Sequence, residues 1–99
     1  MKRIASIQDV SCLGRCSQTV ALPVVSAMGV ECAILPTAVL STHTSFPDFI
    51  CTDLTDDLLP VARHWKAQGV HFDALYTGYL ASDRQVAVVL ELLELLREE

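Results

Sequence analysis

The chain has 99 residues; 52% are hydrophobic, and seven basic against twelve acidic side chains give a net charge of −5. That length suits one small domain or part of one, and so much apolar side chain on so short a chain calls for a covering neighbour, either more polypeptide or a second subunit. The basic residues (Lys2, Arg3, Arg15, Arg63, Lys66, Arg84, Arg97) are scattered, which argues against nucleic-acid binding, because phosphate contacts need clustered Lys and Arg.

No apolar run approaches the roughly 18–20 residues of a spanning helix. Lys2 and Arg3 could open a signal peptide, but Gln8 and Asp9 break the apolar stretch within a few residues. The expected compartment is the cytoplasm, with no membrane partner. Cys12, Cys16, Cys32 and Cys51 form no C-x-x-C pair and have no His at zinc-ligand spacing, so we expect free thiols and no metal site.

In chain order, residues 3–8 (RIASIQ) predict a first strand that ends in a polar turn over 9–14. From 17 to 28, Val20, Ala21, Val24, Val25, Ala27 and Met28 recur at helical spacing, and Gly29 suits the position after a helix end. Pro23 lacks the N–H that would reach the carbonyl of Thr19, which predicts a kink or a late start. Residues 31–40 (ECAILPTAVL) predict a second strand whose far end is weakened by Pro36. Residues 41–47 (STHTSFP) are polar and turn-rich.

Asp53 or Thr55 can cap the next helix, with Asp56 and Asp57 favouring its first turn; the helix runs through Trp65 to a stop at Gly69. Residues 72–77 (FDALYT) predict a third strand leading into Gly78-Tyr79-Leu80. Ser82 and Gln85 have the form of a capping box for a last helix from Asp83 to the chain end. That helix is apolar almost all round, which predicts cover on most of its faces.

Three strands alternating with helices through short connections predict an α/β fold with a parallel sheet. Three are few for a parallel sheet covered on both faces, so the sequence reads as an incomplete sheet, residues 1–99 forming part of one larger domain. In such sheets ligands bind outside the carboxyl ends of the strands. That places any site in the loops at 9–15, 41–47 and 77–82.

Those loops carry a resemblance. Ile4-Ala5-Ser6-Ile7-Gln8-Asp9-Val10, Leu40-Ser41-Thr42-His43-Thr44 and Tyr76-Thr77-Gly78-Tyr79-Leu80, in that order and at these separations, resemble pyridoxal kinases of the ribokinase-like superfamily. The likeness spans essentially the whole chain and matches the N-terminal part of those enzymes. It implies an ATP-dependent kinase that phosphorylates the 5′-hydroxyl of pyridoxal, pyridoxamine or pyridoxine in vitamin B6 salvage, and a homodimer when complete.

Position by position, the resemblance implies substrate binding by Asp9, His43, Thr44 and Tyr79. Asp9 stands where the family usually has a serine, and an ionised carboxylate accepts hydrogen bonds without donating any; the competing reading is a turn or helix cap. For His43 and Thr44 the alternative is an ordinary exposed turn, and for Tyr79 a half-buried aromatic at the core edge. Cys16 falls on a pocket-side position, with a small packing residue as the plainer reading.

Neither G-x-x-x-x-G-K-[ST] nor G-x-G-x-x-G occurs. In the family, the catalytic aspartate and the residues that bind ATP and Mg²⁺ lie later in the chain. The resemblance therefore implies a vitamer-binding portion, inactive alone, with no catalytic, nucleotide or metal residue of its own. Two other functions are weighed beside it: a hydroxymethylpyrimidine kinase of thiamine synthesis, which shares the fold, and a non-catalytic dimerisation fragment.

Overall fold

The computed structural model describes residues 2–14, 18–78, 80 and 82–97. Arg15, Cys16 and Tyr79 therefore lie outside the described residues. The elements are β1 (Arg3–Ser11), α1 (Gln18–Ala27), β2 (Glu31–Leu40), β3 (Cys51–Asp53), α2 (Thr55–Ala67), β4 (Ala74–Thr77) and α3 (Asp83–Leu96). They build an open four-stranded sheet in the order β3-β2-β1-β4. The α/β class and the three parallel strands of the sequence reading are present: β1 pairs in parallel with β2 and with β4. The added element is β3, three residues antiparallel to the end of β2, too short to leave a periodic pattern.

Successive side chains on a strand point to opposite faces, and β1 uses both. Ala5 and Ile7 join Leu35, Leu58, Ala62, Phe72, Val89, Leu92 and Leu96 in the core between the sheet and the α2/α3 pair. Ser6 and Gln8, equally buried, belong to the other face. There Gln18, at the start of α1, donates its amide to the carbonyl of Ser6 at 2.6 Å. Helix α1 contributes nothing to the core cluster and leaves Leu22 and Val24 exposed, as is Met28 just after it. Burying a Leu or Ile side chain is worth roughly 1.5–3 kcal/mol, so the α2/α3 layer dominates the stability of the fold.

Boundaries differ from the sequence reading in informative ways. β1 continues through Asp9, Val10 and Ser11, so Asp9 lies in a strand where a turn was expected. β2 does span Glu31–Leu40 as expected, and Pro36 does not interrupt it. Instead the register shifts: Gln8 pairs with Pro36, but Val10 pairs with Val39. Thr37 and Ala38 together oppose Asp9, the two-against-one pattern of a β-bulge, placed next to the one residue of β2 without an N–H.

Helix α1 begins at Gln18 with Pro23 inside it, so no late start occurs. The third predicted strand is shortened to Ala74–Thr77. Of its lead-in, Phe72 packs against Trp65 with ring centroids 5.3 Å apart, while Asp73 accepts from the backbone N of Arg3 at 2.8 Å. No helix among the described residues is long and apolar enough to cross a membrane.

Candidate functional site

The bulge sets which side chains meet at the carboxyl end of the sheet. Residues paired across neighbouring strands share a face. Asp9 follows Ala5 and Ile7 onto the α2/α3 face. On β2, Leu35 and Thr37 share that face, and the extra residue in the bulge brings Leu40 back to it opposite Ser11. Strand β3 continues the pattern, with Cys51 paired to Leu40 and Asp53 to Ala38.

The result is a cavity of about 300 Å³ lined by Asp9, Thr37, Ala38, Leu40, Thr44, Phe49, Cys51 and Gln85. A volume of that size is at the small end of ligand pockets. Its walls are mainly apolar, from Ala38, Leu40 and Phe49, with polar groups at a few points. Thr37 and Gln85 are 2% and 5% exposed, so the polar lining is built into the fold.

A chain of hydrogen bonds fixes the floor. The Gln85 amide donates to Thr55 Oγ1 at 3.1 Å, and that hydroxyl donates in turn to the Asp53 carboxylate, which also accepts from Thr55 N at 2.8 Å. The two Thr55 hydrogen bonds, the hydroxyl first, hold the Asp53 carboxyl below the usual carboxylate range, with Arg84 adding to the effect. Asp53 thus caps α2 from outside it, the N-cap position itself being Leu54. Arg84 pairs with Asp56, which ties the starts of α2 and α3 together.

The loop over 41–50 closes the cavity and is clasped at its base. Ser41 N donates to the Ile50 carbonyl at 2.8 Å, and Ile50 N donates to Ser41 Oγ at 2.8 Å. His43 is seated on the first loop: its backbone N donates to the Leu13 carbonyl at 3.0 Å. Gly14 lies directly under the ring, where a Cβ would come within 2.6 Å of His43 Cδ2. His43 Nδ1 accepts from Ser45 N at 3.3 Å, and Phe46 stacks obliquely at 4.7 Å.

Of the four residues singled out from the sequence, Asp9 and Thr44 line one cavity. His43 is not among the cavity's lining residues and sits against Gly14 and Phe46. Tyr79 is outside the described residues, following Gly78, whose N donates to the Ile7 carbonyl at 3.1 Å. Sequence reasoning missed Thr37, Phe49, Cys51 and Gln85. The signal for Gln85 was present but was read only as helix capping. Ser82 Oγ does accept from Gln85 N at 3.1 Å, while the Gln85 side chain turns to Thr55 and the cavity.

No group of three or more His, Cys, Asp or Glu is gathered at metal-binding spacing among the described residues.

No family model and no curated protein matches the chain. Solved structures do. The "putative phosphomethylpyrimidine kinase" of Bacteroides thetaiotaomicron is 46% identical, with a TM-score of 0.94 over 98% of this chain and 34% of its own. A second crystal form of that protein, with pyridoxal, has a TM-score of 0.92. Pyridoxal kinase from Lactobacillus plantarum is 36% identical, with a TM-score of 0.88 over 95% of this chain and 34% of its own. Pyridoxal kinase from Leishmania donovani, in complex with ADP and pyridoxamine, is 22% identical and shares the fold at a TM-score of 0.81. The chain spans only 34% of the length of the first of these structures. Over that span both sequence and backbone agree along nearly its whole length, and the chain belongs to the ribokinase-like family.

Proposed function

We propose that this chain supplies the vitamer-binding part of a pyridoxal/pyridoxamine kinase and, alone, does not transfer phosphate. The observation that supports the reading is the cavity at the carboxyl end of β1 and β2, which joins Asp9 and Thr44 from two separate motifs. Asp9 offers acceptor sites, Thr44 a hydroxyl, and Leu40 and Phe49 the apolar walls that a small aromatic heterocycle needs. His43, on the loop that carries Thr44, and Tyr79 complete the substrate-binding set that the resemblance implies. In this reading ATP, Mg²⁺ and the catalytic base belong to the rest of a kinase domain, the working enzyme is a cytoplasmic homodimer, and the chain itself binds and orients the ring.

The test is calorimetric titration of the purified chain with pyridoxal, pyridoxamine and pyridoxine, alongside an assay for ATP-dependent phosphorylation. Binding without turnover, weakened several-fold by Thr44→Val, is the expected result. Turnover by the chain alone would overturn the division of labour, and absence of binding would overturn the site. A second reading, a hydroxymethylpyrimidine kinase, draws support from the name of the 46%-identical Bacteroides protein. Tighter binding of the aminopyrimidine than of any B6 vitamer would favour it.

A further inference from the structure

The cavity combines mainly apolar walls with one side chain that, when ionised, only accepts. Asp9 is half-buried at the bulge, and Ala38, Leu40 and Phe49 share the cavity with it. Its polar neighbours there are of another kind: the Thr37 and Thr44 hydroxyls donate as well as accept, and the Gln85 side chain carries a donor amide. An oxygen substituent on a ligand can therefore be met by Thr37, Thr44 or Gln85. Against Asp9, an aldehyde oxygen would set two acceptors face to face.

An ammonium or an aromatic amino group at the same place makes a charge-assisted or donor-to-carboxylate bond, which apolar walls strengthen by lowering the local dielectric. A carboxylate has about four lone-pair positions, so it can accept from a ligand while keeping its protein partners. Its position is fixed by the backbone: Asp9 lies within β1, opposite two residues of β2, so the carboxylate is held on a strand and not on a loop.

From this, resting on the proposed site, we infer that Asp9 makes the cavity selective for heteroaromatic alcohols bearing an amino donor, an aminomethylpyridine or an aminopyrimidine, over the corresponding aldehyde. Asp9 then sets which ligand the site prefers, while Thr44 and the apolar walls hold the ring common to all of them.

The experiment measures dissociation constants of the chain for pyridoxamine, 4-amino-5-hydroxymethyl-2-methylpyrimidine and pyridoxal, in the parent, Asp9→Asn and Thr44→Val forms. Circular dichroism on each variant establishes that it is folded. The expected result is an amine-over-aldehyde preference of about tenfold or more in the parent, the scale of one charge-assisted hydrogen bond. Asp9→Asn should collapse that ratio to within about threefold, by weakening the two amines more than the aldehyde. Thr44→Val should weaken all three ligands by similar factors and preserve the ratio. Equal binding of amine and aldehyde by the parent, or a ratio that survives Asp9→Asn, overturns the inference and leaves the site standing. Binding of none of the three by the parent overturns the site and the inference with it.

Discussion

Gly78 shows how a single missing side chain shapes the site. A Cβ there would lie 2.6 Å from Gln8 Oε1 and 2.8 Å from Gln8 Cγ. Gln8 cannot swing aside freely, being 6% exposed with its amide donated to Ser6 Oγ at 3.0 Å. Gly78→Ala is therefore an overpacking change, expected to cost about 1–3 kcal/mol in urea denaturation. Because the conflict is with one side chain, Gln8→Ala combined with Gly78→Ala should cost less than the sum of the two single changes, and strict additivity would show that the strain lies elsewhere. At Asp53 the expectation concerns pH. Its carboxyl is depressed in the folded state by the Thr55 hydrogen bonds, so it contributes stability above the unfolded-state value of about 4, and that contribution fades as pH falls through the lower folded value. The stability difference between the parent and Asp53→Asn should be present at neutral pH and close on acidification below about pH 4; a difference independent of pH between 3 and 7 would assign the effect of Asp53 to something other than its charge.

At the scale of elements, α3 is anchored at its start. Ser82, in extended conformation, accepts from Gln85 N, and the Gln85 side chain reaches across to Thr55 at the start of α2. Ser82→Ala should cost about 1 kcal/mol, which in a domain near 100 residues lowers the melting temperature by roughly 4–8 °C; an unchanged melting temperature would mean that packing of Val89, Leu92 and Leu96 alone fixes the helix. The same helix illustrates what local sequence could reveal. The Ser82 cap, the acidic first turn of α2 and the three parallel strands were legible because each is written within a few consecutive residues. The bulge at Thr37 and Ala38 was not, since Pro36 signals a disturbed strand but not that the strand resumes with its faces exchanged. β3 was hidden for a related reason: Cys51–Asp53 is exposed throughout, so no burial pattern marks it, and its pairing with Ala38–Leu40 is a long-range choice. Asp9 and Thr44 could be nominated from motifs, whereas Thr37, Cys51 and Gln85 reach the cavity only through strand register and helix placement. His43 was legible as part of a motif, but its seat on Gly14 depends on a contact between two loops that neither loop declares alone.

For the molecule as a whole, the distribution of apolar surface is lopsided. The α2/α3 side of the sheet is closed over a core, yet Leu22 and Val24 of α1 and Met28 just after it are exposed at 39%, 53% and 74%, and Ile34 on the sheet is 39% exposed. At the opposite margin β4 pairs with β1 alone. Beside it runs a hollow of about 520 Å³ bordered by Phe72, Asp73, Ala74, Leu75, Leu93, Leu96 and Arg97, and Leu90 is exposed at 60%. An edge strand is a template for another chain, because the backbone groups on its outer side have no strand partner among the described residues. Charge opposes such contacts weakly, as a net −5 spread over 99 residues is screened beyond about 8 Å at physiological salt. The isolated chain should therefore self-associate reversibly, with a sedimentation-average mass that rises with concentration through the micromolar range, and it should bind an apolar dye such as ANS while its near-ultraviolet circular dichroism stays that of a packed protein. Leu90→Lys and Met28→Lys place charge on the two margins separately, so the one that lowers the apparent mass names the margin involved. A monomeric mass at every concentration, with no dye bound, would mean that the exposed apolar residues form no contiguous surface and that the chain is stable without cover.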